Sequence, residues 1–353
     1  MTMRSGSSSL PGPGGERRRV FEQFGSHVDL RVLPPDGHRG HAEQRLDRAA
    51  AILAEFDERL SRFRSDSELC RLNADPRSAV PASPMMLRFA EAVGWAGRRS
   101  GGLVDATLLP AVEAAGYRDH LELTVLDGGA PVLRATKGSA VAPTISHAGD
   151  EDWWHVGARS GAVHRPHGVR LDSGGLGKGL AADLAADALR GAPSWMVDCG
   201  GDLRLGGTAR RPRPIDVRDP LDPELVLHRL HVTSGGVATS GVTRRRWADG
   251  AGTIAHHLID PRTGRPAATG VLQVTALAPT ALEAEVLAKT ALLSGSERAH
   301  GALSHGGVVV HDTGVVEVVP PPTVAQRDRH AARRVRFDMP TGARTAGLMG
   351  SRR

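Results

Sequence analysis

The residues best suited to chemistry lie together at Leu171 to Leu189, LDSGGLGKGLAADLAADAL. Asp172 ends a short apolar stretch. Gly174-Gly175-Leu176-Gly177 reads as a glycine turn, and Lys178 opens a segment with Leu180, Leu184 and Leu189 close to helical spacing. Glycines let a backbone bend and approach a ligand closely. The free N–H groups of a first helical turn favour negative charge, and Lys178 adds a full positive charge there. A strand, a glycine turn and a helix N-terminus in this order predict a site for a phosphorylated ligand. The other reading is a helix-capping glycine turn beside a surface lysine, and the stretch alone does not choose. Two common phosphate loops do not fit. A Walker A loop, G-x-x-x-x-G-K-[ST], needs a hydroxyl residue after the lysine. Here Gly179 follows Lys178, and Asp172 stands where the first glycine belongs. A dinucleotide fingerprint follows the first strand of a βαβ unit, whereas this turn comes mid-chain among segments that do not alternate that way.

The elements that must position this turn are partly legible. Val28, Leu30 and Val32 alternate with polar residues, which predicts a half-buried strand. Residues 41–60 carry Ala42, Leu46, Ala49, Leu53, Phe56 and Leu60, the pattern of a long amphipathic helix. Residues 60–73, LSRFRSDSELCRLN, are polar with few structural preferences. Ser83-Pro84 predicts a helix N-cap and first position, with Leu87, Ala90 and Val93 on one face. Residues 118–170 carry no long periodicity, and short strands and loops are expected there. A strand running into a second glycine turn is expected at 195–207, and short strands at 226–235 and 237–243. Residues 255–266 read as a polar loop, 269–278 as a strand, and Pro279-Thr280 as the lead-in to a helix through Leu293. Residues 308–319 read as a hairpin around Asp312-Thr313-Gly314.

Composition bounds the function classes. The 353 residues are 40% hydrophobic but only 3% aromatic, so the core must be mostly Val, Leu and Ala. The formal net charge of +6 is concentrated in arginine-rich ends, without a basic stripe interleaved with aromatics, so no nucleic-acid partner is expected. Cys70 and Cys199 form no CxxC motif, and two buried free thiols are the simplest reading. No apolar run reaches a membrane span and the first residues carry no signal-peptide core, so the expected location is cytoplasmic, without stable membrane insertion. The expected organisation is a disordered basic segment at 1–19, one catalytic domain at 20–319, and a basic tail at 320–353 that is disordered.

Several motifs in a fixed order resemble the ApbE family of FAD:protein FMN transferases, from about Phe24 to Gly295. Phe24-Gly25-Ser26 resembles the family's Met-Gly-Thr. SRFRSDSELCRLN resembles S-x-Y-x-x-x-S-E-L-x-x-L-N, and LVDATLLP resembles F-D-P-T-x-x-P-L. LDSGGLGKGLAAD resembles L-D-L-G-G-I-A-K-G-x-x-x-D, and VDCGGDLRLGG the family's G-G-D-I turn. ATSG at 238–241 and HHLIDPRTGRP match closely, and AEVLAKTALLSG resembles A-D-A-L-A-T-A-L-x-x-L-G.

The resemblance implies an α+β fold of mixed and antiparallel sheets with packed helices, T-fold-like. It implies an enzyme that takes FAD with Mg²⁺, attaches FMN to a threonine of a target flavoprotein and releases AMP. His257, before Leu258-Ile259-Asp260-Pro261, is implied as the base for the threonine hydroxyl; outside that context His256 and His257 would read as ordinary loop histidines. Phe24, Phe63, Val104, Asp105, Asp172, Lys178 and Leu258 are implied around FAD. Phe63 stands where the family commonly has Tyr, and packing alone is its other reading. Asp105 reads equally as a turn residue, and Asp202 as an FAD contact or a turn cap.

At the metal site the chain departs from the family, which has Asp and, one helical turn later, Thr, joined by a backbone carbonyl that would here be Gly175. Glu285 holds the Asp position and Lys289 the Thr position. Glutamate is a hard oxygen ligand suited to Mg²⁺, but protonated Lys289 is no ligand. It either pairs with Glu285 or places an ammonium near the pyrophosphate. One bound Mg²⁺ is the expectation. Two other readings of the same residues are a Mg²⁺-dependent FAD pyrophosphatase and a non-catalytic FAD-binding protein.

Overall fold

The computed structural model describes residues 10–11, 15–35, 39–117, 122–125, 131–134, 155–248 and 254–322. The expected tail from 323 onward and most of the first fourteen residues lie outside this set. The described chain up to Pro321 packs as one unit.

Its frame is a nine-stranded sheet in which every neighbouring pair is antiparallel. In spatial order the strands are Leu10–Pro11, Arg17–Gln23, Ser26–Leu33, Ser194–Cys199, Leu203–Gly206, Gly235–Gly241, Val271–Ala278, Gly307–His311 and Val316–Val319. The strand at Arg17–Gln23 enters the segment expected to be disordered. Its arginines find carboxylates: Arg17 meets Glu43, Arg18 meets Asp29 at 2.9 Å, and Arg19 meets Asp47 at 2.5 Å. The arginines at the end of the segment expected to be disordered are thus part of a paired strand surface.

Strand alternation sorts the core. Val28, Leu30 and Val32 are fully buried on one face of Ser26–Leu33, and Val197 and Cys199 continue that face on Ser194–Cys199. Against it pack α1 (Arg39–Leu60) and α5 (Gly177–Ala186), with α3 (Pro84–Ser100) closing the same core. Helix α6 (Ala281–Ser294) covers the neighbouring strands Gly235–Gly241 and Val271–Ala278. On the opposite face, Met196, Leu205 and Val237 meet the hairpin Arg213–Arg218/Val226–Val232. Smaller sheets supply the one parallel pairing among the described residues, between Arg246–Ala248 and Pro131–Arg134. Helices packed on antiparallel sheets make the expected α+β fold. Among the described residues no helix is long and apolar enough to cross a membrane. Cys70 is half-buried and Cys199 buried, both free.

The expected cap falls on α3, and the expected lead-in to α6 supplies its cap. Ser83 accepts from the Met86 N–H with Pro84 at the first position, and Thr280 accepts from the Glu283 N–H. Three expectations are corrected. Residues 60–73 contain a helix, α2 (Glu68–Ala74), capped by Ser67, whose hydroxyl accepts from the Cys70 N–H at 3.0 Å; Leu69 and Leu72 bury its inner side. The 255–266 loop contains a short hairpin, Ile259–Asp260 with Arg265–Pro266, around the Asp-Pro-Arg-Thr-Gly turn. Finally, no strand precedes the glycine turn at 174–177. Leu171 is held instead by the Asn73 amide, which donates to the Leu171 carbonyl and accepts from its N–H, both at 2.8 Å.

Arg165 locks the same region. Its guanidinium donates to the carbonyls of Val169, Leu72 and Asp75, and the residue is buried. Arg165→Met leaves those carbonyls without a donor. The expected cost is about 3 kcal/mol, read as a lower urea midpoint with an unchanged slope.

Candidate active site

Ten of the twelve predicted site residues line one cavity of about 590 Å³: Phe24, Phe63, Val104, Asp105, Asp172, Gly175, Lys178, His257, Leu258 and Lys289. Segments far apart in sequence therefore converge on one wall. Asp202 and Glu285 do not line it. They are buried behind it, at 3% and 1% exposure, each beside a lysine that does.

The glycine turn forms a 3₁₀ turn, Ser173–Gly175, capped by Asp172, whose carboxylate accepts from the Gly174 N–H at 3.2 Å. The Ser173 hydroxyl donates to the Leu60 carbonyl at 2.6 Å and ties the turn to the end of α1. Helix α5 then begins at Gly177, with Lys178 in its first turn. The Lys178 ammonium lies 3.5 Å from the Asp202 carboxylate and 3.4 Å from the Gly200 carbonyl. Asp202 thus anchors Lys178 from behind the cavity wall.

Gly179 serves helix packing. A Cβ there would stand 2.7 Å from the Ala281 carbonyl oxygen and 2.8 Å from a Glu285 oxygen. Its N–H donates to Glu285 Oε2 at 2.9 Å, while Lys289 donates to Glu285 Oε1 at 2.9 Å. Asp183 of α5 accepts from the Ala281 and Leu282 N–H groups, both at 2.9 Å, and so fastens the start of α6 to α5. Burial pushes the Glu285 carboxyl up, and Lys289 pulls it back.

This geometry does not suit the expected Mg²⁺. Both Glu285 oxygens are engaged, and the Lys289 ammonium offers no lone pair. A cation about 4 Å from that ammonium is repelled by about 4 kcal/mol per unit charge in a partly screened site. Among the described residues, no group of three His, Cys, Asp or Glu could hold a metal.

His257 follows the short strand Ile254–His256 and lies against the cavity, with its Nδ1 buried and without a hydrogen-bond partner. The loop holding it is braced on both sides. His256 Nε2 stands 2.9 Å from the Ala267 carbonyl, so Nε2 carries that ring's proton and Nδ1 can accept from the Leu258 N–H at 3.3 Å. Asp260 accepts from Arg262, which also donates to the Leu293 carbonyl at the end of α6, 2.8 Å away. Burial, then Arg245 and Lys289, hold the His257 imidazole well below the usual histidine range. The neutral ring is therefore ready to accept a proton. Because kcat/KM reports the free enzyme, its acid limb is expected to fall below pH 6.5, the ordinary histidine value. A limb at or above that value would show that another group titrates.

The aromatic end of the cavity holds three residues that the sequence did not single out. The Arg62 guanidinium lies 4.3 Å from the Phe63 ring centre and 4.4 Å from that of Tyr117. Arg62 donates to the Tyr117 carbonyl at 2.8 Å and lies 3.5 Å from Asp172, while one of its terminal nitrogens is buried without a partner. Tyr117 in turn stacks on Trp247. Arg245 is the third, near the Phe24 carbonyl at 3.4 Å. Phe24 and Arg245 both hold left-handed backbone, φ 58° and 52°, unusual for side chains of this size. The available signal was Tyr117, the single tyrosine of an aromatic-poor chain. Asp105 lines the cavity and also closes a turn, accepting from the Thr107 N–H and hydroxyl at 2.7 and 2.6 Å.

Comparison with known proteins gives the same picture. The chain is 30% identical over 257 residues to the FAD:protein FMN transferase of Vibrio cholerae, covering 70% of this chain and 72% of that one. It is 28% identical over 279 residues to the FAD:protein FMN transferase of Klebsiella pneumoniae, covering 76% and 77%. The fold superposes on the ApbE protein of Thermotoga maritima with a TM-score of 0.70 at 22% identity, over 86% of this chain and 96% of that one. It also superposes on the flavinyl transferase ApbE of Pseudomonas stutzeri with a TM-score of 0.66 at 23% identity, over 86% and 95%. The family profile for ApbE matches residues 24–310, and the chain belongs to the ApbE family.

Proposed function

We propose that the chain is an FAD:protein FMN transferase that attaches FMN to a threonine of a target protein. The observation that carries this reading is the placement of His257 and Lys178 on one cavity that also holds the glycine turn and the Phe63 ring. In the reaction, the threonine Oγ attacks the phosphorus that carries the riboflavin side of FAD. One Oγ–P bond forms, and the bond from that phosphorus to the bridging oxygen breaks. AMP leaves with the bridging oxygen, and the hydroxyl proton passes to His257. Lys178 and the N–H groups at the start of α5 oppose the growing charge on the phosphate oxygens. Phe63 lines the same cavity and can meet the flavin or adenine. The expected Mg²⁺ has no place in this sequence of steps, because Glu285 and Lys289 do not form a donor set for it.

The test incubates the purified chain with FAD and a threonine-bearing acceptor peptide. Mass spectrometry is expected to show the peptide carrying FMN, with AMP in equal amount. AMP and free FMN with an unmodified peptide would make the chain a pyrophosphatase. FAD held unchanged would make it a binding protein.

A further inference from the structure

Two ammonium groups face the same cavity, and each is held from behind by a buried carboxylate: Lys178 by Asp202 at 3.5 Å and Lys289 by Glu285 at 2.9 Å. Asp202 and Glu285 are 3% and 1% exposed, so neither carboxylate meets a ligand directly. The two anchors come from different elements, the second glycine turn and α6. Asp183 fastens α6 to α5 through the Ala281 and Leu282 N–H groups, which fixes the spacing of the two lysines. Without ligand the four charges sum to zero. A ligand with two linked phosphates would bring two negative charges to two waiting cations. Lys289 spends one N–H on Glu285 and has no other protein acceptor among the described residues.

We infer that the Lys289 ammonium, held by Glu285, is the second phosphate-neutralising cation of this site, and that the chain binds and cleaves its dinucleotide without a divalent metal. The inference rests on the transferase reading for its substrate. Its chemistry requires only a ligand with a pyrophosphate. A tethered ammonium suits the task because three rotatable donors can follow the phosphate oxygens as the bond breaks. Glu285 limits where the Lys289 ammonium can point. The Gly179 N–H holds the second Glu285 oxygen, so the carboxylate cannot swing toward the cavity without losing two hydrogen bonds.

The experiment uses the full chain with excess chelator or with millimolar MgCl₂. Flavin fluorescence measures FAD binding, competition measures ADP and riboflavin binding, and AMP release with the acceptor peptide measures turnover. The wild type is expected to bind FAD and release AMP at rates that differ by less than about twofold between the two conditions. Lys289→Met in chelator is expected to bind FAD and ADP about tenfold more weakly, while riboflavin, which lacks phosphate, binds unchanged. Wild-type binding or turnover that needs Mg²⁺ overturns the inference. So does Lys289→Met binding ADP as tightly as wild type. If Lys289→Met does not fold, the wild-type comparison decides alone. Metal-free FAD binding and AMP release without any peptide modification leave this inference standing and sink the transferase reading. Peptide modification that strictly requires Mg²⁺ does the reverse.

Discussion

His257→Ala is expected to lower FMN transfer by about 10²- to 10⁴-fold while FAD binding changes by less than about threefold. The asymmetry follows from the site. His257 is neutral, so its loss removes a proton acceptor and leaves the charges facing the phosphates in place. Lys178 and Lys289 keep their carboxylate partners, and the loop keeps its brace through Asp260, Arg262 and the Leu293 carbonyl. Quenched-flow measurement of AMP release, with mass spectrometry of the acceptor, separates chemistry from binding. Transfer within tenfold of wild type would place the base elsewhere in the cavity. His256→Ala is the contrasting variant. It breaks the contacts to the Ala267 carbonyl and the Leu258 N–H, so its effect is expected in thermal stability as well as in rate.

Gly179→Val is expected to cost about 3 kcal/mol of stability and to lower the melting temperature by about 5–10 °C. Two backbone atoms of Ala281 would lie within 2.9 Å of the new Cβ, and backbone cannot rotate away as a side chain can. Helices α5 and α6 must then separate. The separation stretches the Gly179–Glu285 hydrogen bond and moves Lys178 on α5 relative to Glu285 and Lys289 on α6. Stability and FAD affinity should therefore fall together. A Gly179→Val chain with normal melting and weakened FAD binding would mean that the helices yield without cost, contrary to this packing.

What was legible in the sequence follows a physical division. The cap at Ser83, the lead-in at Thr280 and the alternation at Val28, Leu30 and Val32 are local signals, and the structure places them as read. The site motifs were legible because each is a short turn with its own internal bonds, such as Asp105 with Thr107 or Asp260 with Arg262. What failed was depth. Asp202 and Glu285 belong to site motifs yet lie behind the wall, and no local pattern records which carboxylate is covered by the rest of the fold. Arg62 and Arg245 were passed over for the same reason, because an arginine in a polar stretch looks solvated until partners such as the Tyr117 ring over Arg62 or the Phe24 carbonyl beside Arg245 arrive from elsewhere. Helix α2 was missed because its apolar face is only two leucines wide, and its cap at Ser67 was one serine among several. Residues 118–170 were read as short strands and loops. The described part holds such strands at Glu122–Val125, Pro131–Arg134, Gly157–Arg159 and Ala162–His164, and the remainder lies outside the described residues.

The position of Ser26–Leu33 in the large sheet also sets a timetable for biosynthesis. This strand leaves the ribosome well before Ser194–Cys199, the neighbour that pairs with its inner edge. At about 5–20 residues per second, the wait for that partner is about ten to thirty seconds. During it, the face carrying Val28, Leu30 and Val32 is covered first by α1 and only later by α3 and α5, and the strand edge is open to pairing with another nascent chain. The sheet closes only when the later part of the chain arrives. The protein's yield in a cell is therefore expected to depend on translation speed and on chaperones that shield this early hairpin, more than on the stability of the finished fold.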